Sequence, residues 1–329
     1  MELIAAVDAP LPSPARTRQS ICAPFRVGAI QDRWHPDPDE HRSSLADGVA
    51  AAAAAGAELV CLQELTLSPY FAALAGGPEV AGIEPESLEG GPTATFVADL
   101  ARNHGVHVSA SVYEADDTVT PLGYNTAICI SPSGDLVART RKLHIPHTEG
   151  YHEDHYFVGA DDGFPVAGVL AAAGSAPAQV GFPTCWDQWF PEVARAYSLR
   201  GAEVIVYPTA IGSEPDHPDF DTQPLWQKVI VGNGIANGTF MVAVNRVGTE
   251  RVGSDAPEIT FYGSSFISDP YGRVLVQAPR DRPAAIVADL DLDARADWLE
   301  LFPFLTTRRP DAYGPLTAEP AVAKSASGG

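Results

Sequence analysis

Within Glu58-Leu-Val-Cys-Leu62, the apolar residues are consecutive, and the polar pair Gln63-Glu64 follows directly. Such a run is typical of a strand buried on both faces, whereas a strand with one face in water alternates apolar and polar side chains. A second run of this kind, Glu203-Val-Ile-Val-Tyr207, lies in the other half of the chain. We therefore predict a buried strand in each half.

Helix-like and strand-like segments surround both runs. The helix-like segments are residues 41–55, 93–103, 191–199 and 225–236. The further strand-like segments are residues 26–30, 106–113, 125–130, 136–139, 178–182, 240–244, 261–268, 273–277 and 286–290. Ser131-Pro-Ser-Gly134 and Pro270-Tyr-Gly272 are typical hairpin turns. The pattern predicts an α/β fold in which helices cover mixed sheets.

The 329 residues predict a single domain, because no break in composition divides the chain. We expect this domain to span residues 25–316. Several prolines among small and polar residues predict a flexible N-terminal arm over residues 1–24, and the Ala-, Ser- and Gly-containing residues 317–329 predict a disordered tail. Residues 171–177 are expected to form a local loop insertion.

The charge balance argues against several classes of partner. The chain has 42 Asp and Glu residues against 21 Lys and Arg residues, and its net charge is −21. An acidic surface repels phosphate, so we expect neither nucleic acid nor an anionic membrane as a partner. No run reaches the roughly 20 apolar residues of a membrane-spanning helix. The first residues lack a secretory-signal pattern, so a cytoplasmic protein is expected.

The four cysteines are scattered and include no CxxC pair, so neither a disulfide framework nor a zinc ribbon is expected. Cys61 and Cys129 lie in apolar runs, where free cysteine usually behaves as a small buried hydrophobe. Cys185 differs, because it follows a strand-like segment and precedes Trp186-Asp-Gln-Trp-Phe-Pro191, which opens a helix. Helix N-terminal amides would favour its thiolate and would bind an oxyanion. From this placement alone, a nucleophile and a buried thiol are equally good interpretations.

Three charged residues are further candidates for a site. Glu64 ends the first apolar run, where a buried carboxylate needs a partner or a function. A solvated carboxylate at a strand end is the alternative interpretation. Lys142 and Glu153, taken by themselves, are an ordinary strand-end lysine and an ordinary loop acid.

Other familiar sites find little support in the sequence. It contains neither a GxSxG nucleophile elbow nor a Walker A loop. Gly232-Asn-Gly234 departs from the dinucleotide-binding fingerprint, and no strand leads into it. The chain has two histidine pairs, His144 with His147 and His152 with His155, and neither has the HExxH spacing. We therefore interpret them as loop histidines, with a metal site as the alternative.

Taken together, the order Glu64, Lys142, Glu153, Cys185 and the sequences around these residues resemble the nitrilase, or carbon-nitrogen hydrolase, superfamily. The resemblance covers residues 26–313. The motifs that carry it are Leu62-Gln-Glu-Leu65, Arg141-Lys-Leu-His-Ile-Pro146, Gly150-Tyr-His-Glu-Asp-His-Tyr-Phe157 and Thr184-Cys-Trp-Asp187. The sequence departs from the family pattern at Pro183-Thr184 and at Leu301-Phe-Pro-Phe-Leu305.

Other stretches resemble the N-carbamoylputrescine amidase branch of that superfamily. They are Cys185-Trp-Asp-Gln-Trp-Phe-Pro-Glu192, Tyr207-Pro-Thr-Ala-Ile-Gly-Ser-Glu-Pro215, Phe261-Tyr-Gly-Ser-Ser-Phe266 and Arg308-Arg-Pro-Asp311. The resemblance implies a four-layer α-β-β-α sandwich with mixed sheets, at least a homodimer, and no metal or organic cofactor.

The resemblance also implies the catalytic roles. Cys185 is expected to attack the substrate carbonyl, and Glu64 is expected to shuttle the proton. Lys142 would stabilise the negative charge, and Glu153 would hold Lys142 and Glu64 in register. The candidate substrate-binding residues are Trp186 through its backbone N–H, Glu214 through its carboxylate, and Tyr70.

The predicted reaction is hydrolysis of an N-carbamoyl amine, in particular of N-carbamoylputrescine to putrescine, ammonia and carbon dioxide. The same chemistry on N-carbamoyl-β-alanine (a β-ureidopropionase) or on a plain ω-amide is the first alternative. An inactive nitrilase-fold protein that acts as a binding or scaffold module is the second.

Overall fold

The computed structural model describes residues 1–169, 177–254 and 256–318. Its α-helices are α1 (Pro38–Ala54), α2 (Pro78–Ala81), α3 (Pro92–His104), α4 (Pro191–Leu199), α5 (Gln223–Asn237) and α6 (Asp293–Leu301). Its strands are β1 (Glu2–Ala6), β2 (Phe25–Gln31), β3 (Leu59–Cys61), β4 (His107–Glu114), β5 (Tyr124–Ile130), β6 (Leu136–Arg141), β7 (Val166–Val169), β8 (Ala178–Gly181), β9 (Val204–Pro208), β10 (Phe240–Val244), β11 (Val247–Glu250), β12 (Ile259–Tyr262), β13 (Phe266–Ser268), β14 (Val274–Gln277) and β15 (Ala284–Leu290). None of the helices in these residues combines the length and the apolarity needed to cross a bilayer.

The strands form two large mixed sheets and one small ribbon. The seven-stranded sheet has the order β1-β15-β2-β3-β4-β5-β6, and the six-stranded sheet has the order β14-β13-β10-β9-β8-β7. At the centre of each sheet the strands are parallel: β2, β3 and β4 in the first, and β8, β9 and β10 in the second. β11 and β12 pair as a separate antiparallel ribbon.

Alternate side chains of the central strands build two different core layers. In β3, Leu59 and Cys61 face the other sheet, while Val60 faces α1 and α3. β9 alternates in the same way between the opposite sheet and the layer of α4 and α5. Consecutive apolar residues are therefore required in these strands, because both faces are covered. The predicted α-β-β-α sandwich is confirmed.

The start of α1 shows how local chemistry sets a helix boundary. The Asp37 carboxylate accepts the backbone N–H groups of Asp39 and Glu40, each at 2.9 Å. Pro38 occupies the first turn, where the N–H that it lacks would have no helical partner. The helix therefore begins at Pro38 and not at residue 41.

The N-terminal segment is more ordered than the sequence predicted. Strand β1 pairs in parallel with β15, from Glu2 opposite Ala284 to Ala6 opposite Ala288. The prediction of a flexible arm over residues 1–24 is therefore wrong for residues 2–6. The edge of the sheet supplies backbone hydrogen bonds that a reading of local composition does not detect.

The predicted strand over residues 261–268 is also wrong as a single element. Gly263 and Ser264 have φ angles of +56° and +61°, and the chain bends between β12 and β13. As a result β12 pairs with β11, while β13 pairs with β10 and β14. Helix α6 was not predicted, because Ala294 alone of its residues is buried and no apolar stripe marks the helix.

Two expectations fall on parts of the chain that the structure does not describe. The loop insertion at residues 171–177 lies outside the described residues except for its last residue. The predicted tail lies outside them from residue 319 onward.

Candidate active site

Three of the candidate residues follow the carboxyl ends of strands. Glu64 lies beyond β3, Lys142 follows β6, and Cys185 lies beyond β8. β6 is related to β4 by two antiparallel pairings, so β3 and β6 run in the same direction. The Glu64 N–H donates to the carbonyl of Thr209 beyond β9 at 3.4 Å, which links the ends of the two sheets.

The Glu64 carboxylate is fully buried, and its two oxygens differ in their hydrogen bonds. Its Oε1 accepts the side-chain amide of Asn125 at 2.7 Å and the ammonium of Lys142 at 3.0 Å. Its Oε2 has no hydrogen-bond partner among the described residues. One oxygen therefore holds the orientation, and the other can accept a proton.

Lys142 bridges two carboxylates in the interior. Its Nζ lies 3.0 Å from Glu64 Oε1 and 2.6 Å from Glu153 Oε2. Burial by itself would lower the pKa of Lys142, but the charges of Glu153 and Glu64 outweigh it and raise this pKa above its usual value. Burial raises the pKa of Glu153, and the contact with Lys142 opposes that rise. Lys142 thus remains a fixed positive charge at neutral pH.

Tyr70 lies behind this group of charges. Its side chain is buried, and its hydroxyl donates to Glu153 Oε1 at 2.9 Å. Its ring lies 5.7 Å from the rings of both Tyr151 and Phe261. Tyr70 therefore contacts Glu153 directly.

Cys185 begins a short 3₁₀ turn, Cys185–Trp189, and has a strained backbone. Its φ is +38°, in the left-handed region that a non-glycine residue adopts at a cost on the order of 1–3 kcal/mol. The side chain is only 5% exposed. Such strain persists where the surroundings hold it, and it is concentrated at functional sites.

The groups around the Cys185 thiol shift its pKa in opposite directions. Burial and the negative charge of Glu64 raise its pKa well above the usual value, while Lys142 and a hydrogen bond from the Ala210 backbone favour the thiolate. The thiol of the free protein is therefore protonated at neutral pH. A base is needed to deprotonate it, and Glu64 lies within electrostatic range.

Asp187 connects the Lys142 segment to the Cys185 turn. Its carboxylate accepts the N–H groups of His144 at 3.0 Å and of Thr184 at 3.2 Å. It also contacts the His144 ring at 2.8 Å, and this ring stacks on Phe190 with 3.5 Å between centroids. Thr184, which departs from the family pattern, is therefore held through its backbone rather than through an aliphatic side chain.

A cavity of about 460 Å³ lies beside Glu214. Its walls also include Glu149, Asp216, His217 and Phe220. Glu214 is half-buried, and burial raises its pKa while His217 lowers it. The cavity is acidic, since carboxylates outnumber cations along its wall.

Tyr151 interacts electrostatically with Glu214 in the cavity wall and with Cys185. Its hydroxyl accepts the Gly212 N–H at 3.1 Å and donates to the Ser213 carbonyl at 3.2 Å. Burial raises its pKa, and the charges of Glu214 and of a Cys185 thiolate raise it further. Tyr151 is therefore within electrostatic range of both ends of the candidate site.

The histidine pairs take other positions. The His155 Nδ1 accepts the Gly76 N–H at 2.9 Å, and the His152 ring lies 5.6 Å from the His155 ring. In residues 1–169, 177–254 and 256–318, no group of three or more His, Cys, Asp or Glu side chains is arranged to hold a metal ion.

The structure thus brings together Glu64, Lys142, Glu153 and Cys185, and it places Tyr70 against Glu153. Trp186 directly follows Cys185 in the chain, and Glu214 interacts electrostatically with Tyr151. Sequence reasoning missed Asn125, Asp187, Tyr151 and the buried pair Arg246–Glu250. The sequence signal that could have found Asn125 and Arg246 is a polar residue at the end of an apolar strand. Many residues without a role in the site share this feature, so the signal is not specific.

Comparison with known proteins matches most of this chain to one family. The carbon-nitrogen hydrolase family profile matches residues 26–299. The chain is 36% identical to the N-carbamoylputrescine amidase of Solanum lycopersicum, over 87% of this chain and 93% of that protein. It is 33% identical to the citrullinase of Francisella tularensis subsp. tularensis, over 88% of this chain and 97% of that protein. The crystal structure of a carbon-nitrogen hydrolase from Helicobacter pylori G27 superposes with a TM-score of 0.78 at 31% identity, covering 90% of this chain and 99% of that one.

The fold and these relatives define an amidohydrolase of the nitrilase type. The chain belongs to the carbon-nitrogen hydrolase family, which confirms the resemblance found in the sequence. Its substrate is accordingly a small molecule with a hydrolysable carbon-nitrogen bond.

Proposed function

We propose that the enzyme hydrolyses N-carbamoylputrescine to putrescine, ammonia and carbon dioxide, with Cys185 as nucleophile. The observation that carries the chemistry is that Glu64 Oε2 has no hydrogen-bond partner among the described residues and that the Glu64 carboxylate lies within electrostatic range of the buried Cys185 thiol. A carbamoyl carbon is a poor electrophile, so a thiolate formed at the moment of attack improves greatly on water.

In the first step Glu64 takes the thiol proton, and Cys185 forms a bond to the carbamoyl carbon. The carbonyl oxygen becomes an oxyanion, which the Lys142 ammonium and the Trp186 N–H stabilise. Loss of one such donor typically costs about 3–4 kcal/mol of barrier. Glu64 then returns the proton to a departing nitrogen, and the carbon-nitrogen bond breaks.

In the second step Glu64 removes a proton from water, which attacks the acyl carbon bound to Cys185. The carbon-sulfur bond breaks, the sulfur recovers a proton, and the carbamate product loses carbon dioxide. One water is consumed overall. Glu153 acts throughout by keeping Lys142 charged and in place, and Tyr70 supports Glu153 through its hydroxyl.

Glu214 supports the choice of an amine substrate. Its half-buried carboxylate forms no ion pair with a Lys or Arg side chain of the described residues, and the cavity around it is acidic. A distal ammonium group is the natural complement of such a wall. A substrate that ends in a carboxylate, such as N-carbamoyl-β-alanine, would be repelled.

A substrate panel scored by ammonia release tests this proposal. Citrulline is the most informative member, because it equals N-carbamoylputrescine with one added carboxylate and a relative of this chain is a citrullinase. We expect N-carbamoylputrescine to have the highest kcat/KM, followed by citrulline and then N-carbamoyl-β-alanine. A preference for N-carbamoyl-β-alanine or for a plain ω-amide would overturn the substrate assignment and leave the Cys185 chemistry standing.

We further propose a cytoplasmic homo-oligomer. The four cysteines are free, as expected in a reducing compartment. Apolar side chains are exposed at the ends of α4 and α6, namely Leu199, Leu301 and Phe302, and they would be covered in a dimer. Light scattering after size-exclusion chromatography tests the oligomeric state, and a monomer at micromolar concentration would contradict the proposed homo-oligomer.

A further inference from the structure

A buried arginine holds the segment that carries Glu64. Arg246 follows β10 in the second sheet, and its side chain has no exposed surface. Its Nη2 donates to the backbone carbonyls of Glu64, Leu65 and Ser68, at 2.9, 2.7 and 2.6 Å. Leu65 has a φ of +49°, so this segment has a backbone that local preference does not maintain. The guanidinium helps to hold this backbone, together with the Ser111 hydroxyl, which accepts the Leu65 N–H at 3.0 Å.

The same arginine is also connected to Glu153, through Glu250 and Tyr70. Its Nη1 donates to both oxygens of Glu250, at 2.9 and 3.1 Å. Glu250 Oε2 accepts the Tyr70 N–H at 2.8 Å, and the Tyr70 hydroxyl donates to Glu153. One continuous set of hydrogen bonds therefore joins Glu64 to Glu153 through Arg246.

We propose that Arg246, paired with Glu250, is a positioning residue that aims the open oxygen of Glu64 at the Cys185 thiol. This inference rests on the proposed role of Glu64 as the proton acceptor. Arg246 donates to the Glu64 backbone carbonyl and not to the Glu64 carboxylate, so it acts through the position of Glu64. The planar, multidentate guanidinium suits this task, because it fixes three carbonyls in one geometry.

If Arg246 and Glu250 only stabilised the fold, activity and Tm would change together in variants of the pair. Replacing a buried ion pair with apolar residues of similar volume is often neutral for stability, whereas removing one partner leaves a buried charge unpaired. Arg246→Met should therefore lower the Tm, and the double variant Arg246→Met/Glu250→Leu should recover part of it, because the unpaired charge is gone while the three carbonyls and the Tyr70 N–H stay unpaired. If the pair positions Glu64, activity will not recover with the Tm, because the three carbonyls still lack their donor.

The experiment compares these variants in a Cys22→Ser background, since Cys22 is exposed and would also be alkylated. We expect the double variant to have kcat about 100-fold below wild type, as for a catalytic group misplaced by about 1 Å, with KM changed by less than about threefold. Alkylation of Cys185 by iodoacetamide at pH 7 should slow in parallel, because the thiol has lost its aligned base. Recovery of kcat and of the alkylation rate together with the Tm would overturn the proposal.

Glu250→Gln is the milder test if the Arg246 variants fail to fold. Glutamine can still accept the Tyr70 N–H, but it pairs more weakly with Arg246, so we expect kcat to fall about tenfold at nearly constant KM. Unchanged kcat and alkylation rate in this variant would equally contradict the proposal.

The matched control is Arg26→Met/Asp289→Leu. This pair, with Arg26 Nε 2.6 Å from Asp289 Oδ1, lies at the opposite end of the first sheet. It should alter the Tm and leave Cys185 alkylation unchanged; an equal loss of alkylation would show that the effect is only one of global stability. A wild type that releases no ammonia from N-carbamoylputrescine would refute the proposed substrate, while the alkylation rates would still test the positioning.

Discussion

Lys142 Nζ lies 2.6 Å from Glu153 Oε2, and each side chain is only 1% exposed. Burying a charge is costly unless it is paired, and here the lysine is paired twice, because Glu64 is its second partner. The raised pKa of Lys142 follows from these two carboxylates. The Lys142 ammonium is therefore a fixed positive charge in the interior at neutral pH.

Glu153→Gln tests this relationship. The amide can still bond Tyr70 and Lys142, but one of the two negative charges is lost, so the pKa of Lys142 should fall and its position should loosen. We expect kcat to fall about 100-fold with little change in KM, measured by ammonia release. Asp154→Asn, at an exposed neighbour in the same turn, is the control and should behave as wild type. A Glu153→Gln enzyme with wild-type kcat would remove Glu153 from the mechanism.

Cys185→Ser should abolish turnover and leave the fold intact. A serine hydroxyl stays almost fully protonated beside a carboxylate base, so the nucleophile is lost. In the Cys22→Ser background, iodoacetamide should label Cys185 ahead of Cys61 and Cys129, which have no exposed surface. Mass spectrometry of the labelled peptides checks this. Inactivation with the label at Cys61 or Cys129 would exclude Cys185 as nucleophile.

Glu64→Gln keeps the shape of the side chain and its bond to Asn125 but cannot carry a proton. Both formation and hydrolysis of the acyl intermediate should slow, by about 10²-fold or more in kcat. Rapid-quench measurement of the first turnover separates the two steps. If the variant kept more than about a tenth of wild-type activity, general acid–base work could not be assigned to Glu64.

Glu214→Gln should weaken the amine substrate selectively. A partly desolvated ion pair contributes about 2–3 kcal/mol, so kcat/KM for N-carbamoylputrescine should fall roughly 30- to 150-fold. N-butylurea has the same carbon chain without the ammonium, and its kcat/KM should change little. An equal loss for both substrates would mean that Glu214 supports the fold or the chemistry and not the recognition of the amine.

His41 should make stability depend on pH. Its Nε2 donates to the Thr66 carbonyl at 2.9 Å, and burial lowers its pKa to about 4. The unfolded chain, with a pKa of about 6.5, binds the proton more readily, so the free energy of unfolding decreases as pH falls through this window. The contribution lost between pH 7 and pH 5 is about 2 kcal/mol.

Urea denaturation of wild type and His41→Gln at both pH values checks this prediction. The variant should lose less stability on acidification than wild type does. His147→Gln, at an exposed histidine, should show the wild-type pH dependence. Equal pH dependence in His41→Gln and wild type would refute the assignment.

Local sequence was sufficient for the central strands and for most helices. The apolar runs of β3 and β9 predicted burial on both faces, because every side chain of such a strand contacts either the opposite sheet or a helix. The order of Glu64, Lys142, Glu153 and Cys185 indicated the family, since each residue carries a short motif of its own. These features depend on side chains that are neighbours along the chain.

The tertiary structure alone decided the partners of these residues. Strand β1 exists because residues 2–6 meet an open sheet edge at β15, near the other end of the chain. Arg246 and Glu64 are separated by 182 positions, yet they are joined by hydrogen bonds. No local pattern encodes such a contact, because it depends on how two sheets pack and where their strand ends meet. The sequence by itself therefore determined the central strands, the family and the candidate reactive groups, whereas the packing of the sheets decided which groups support them.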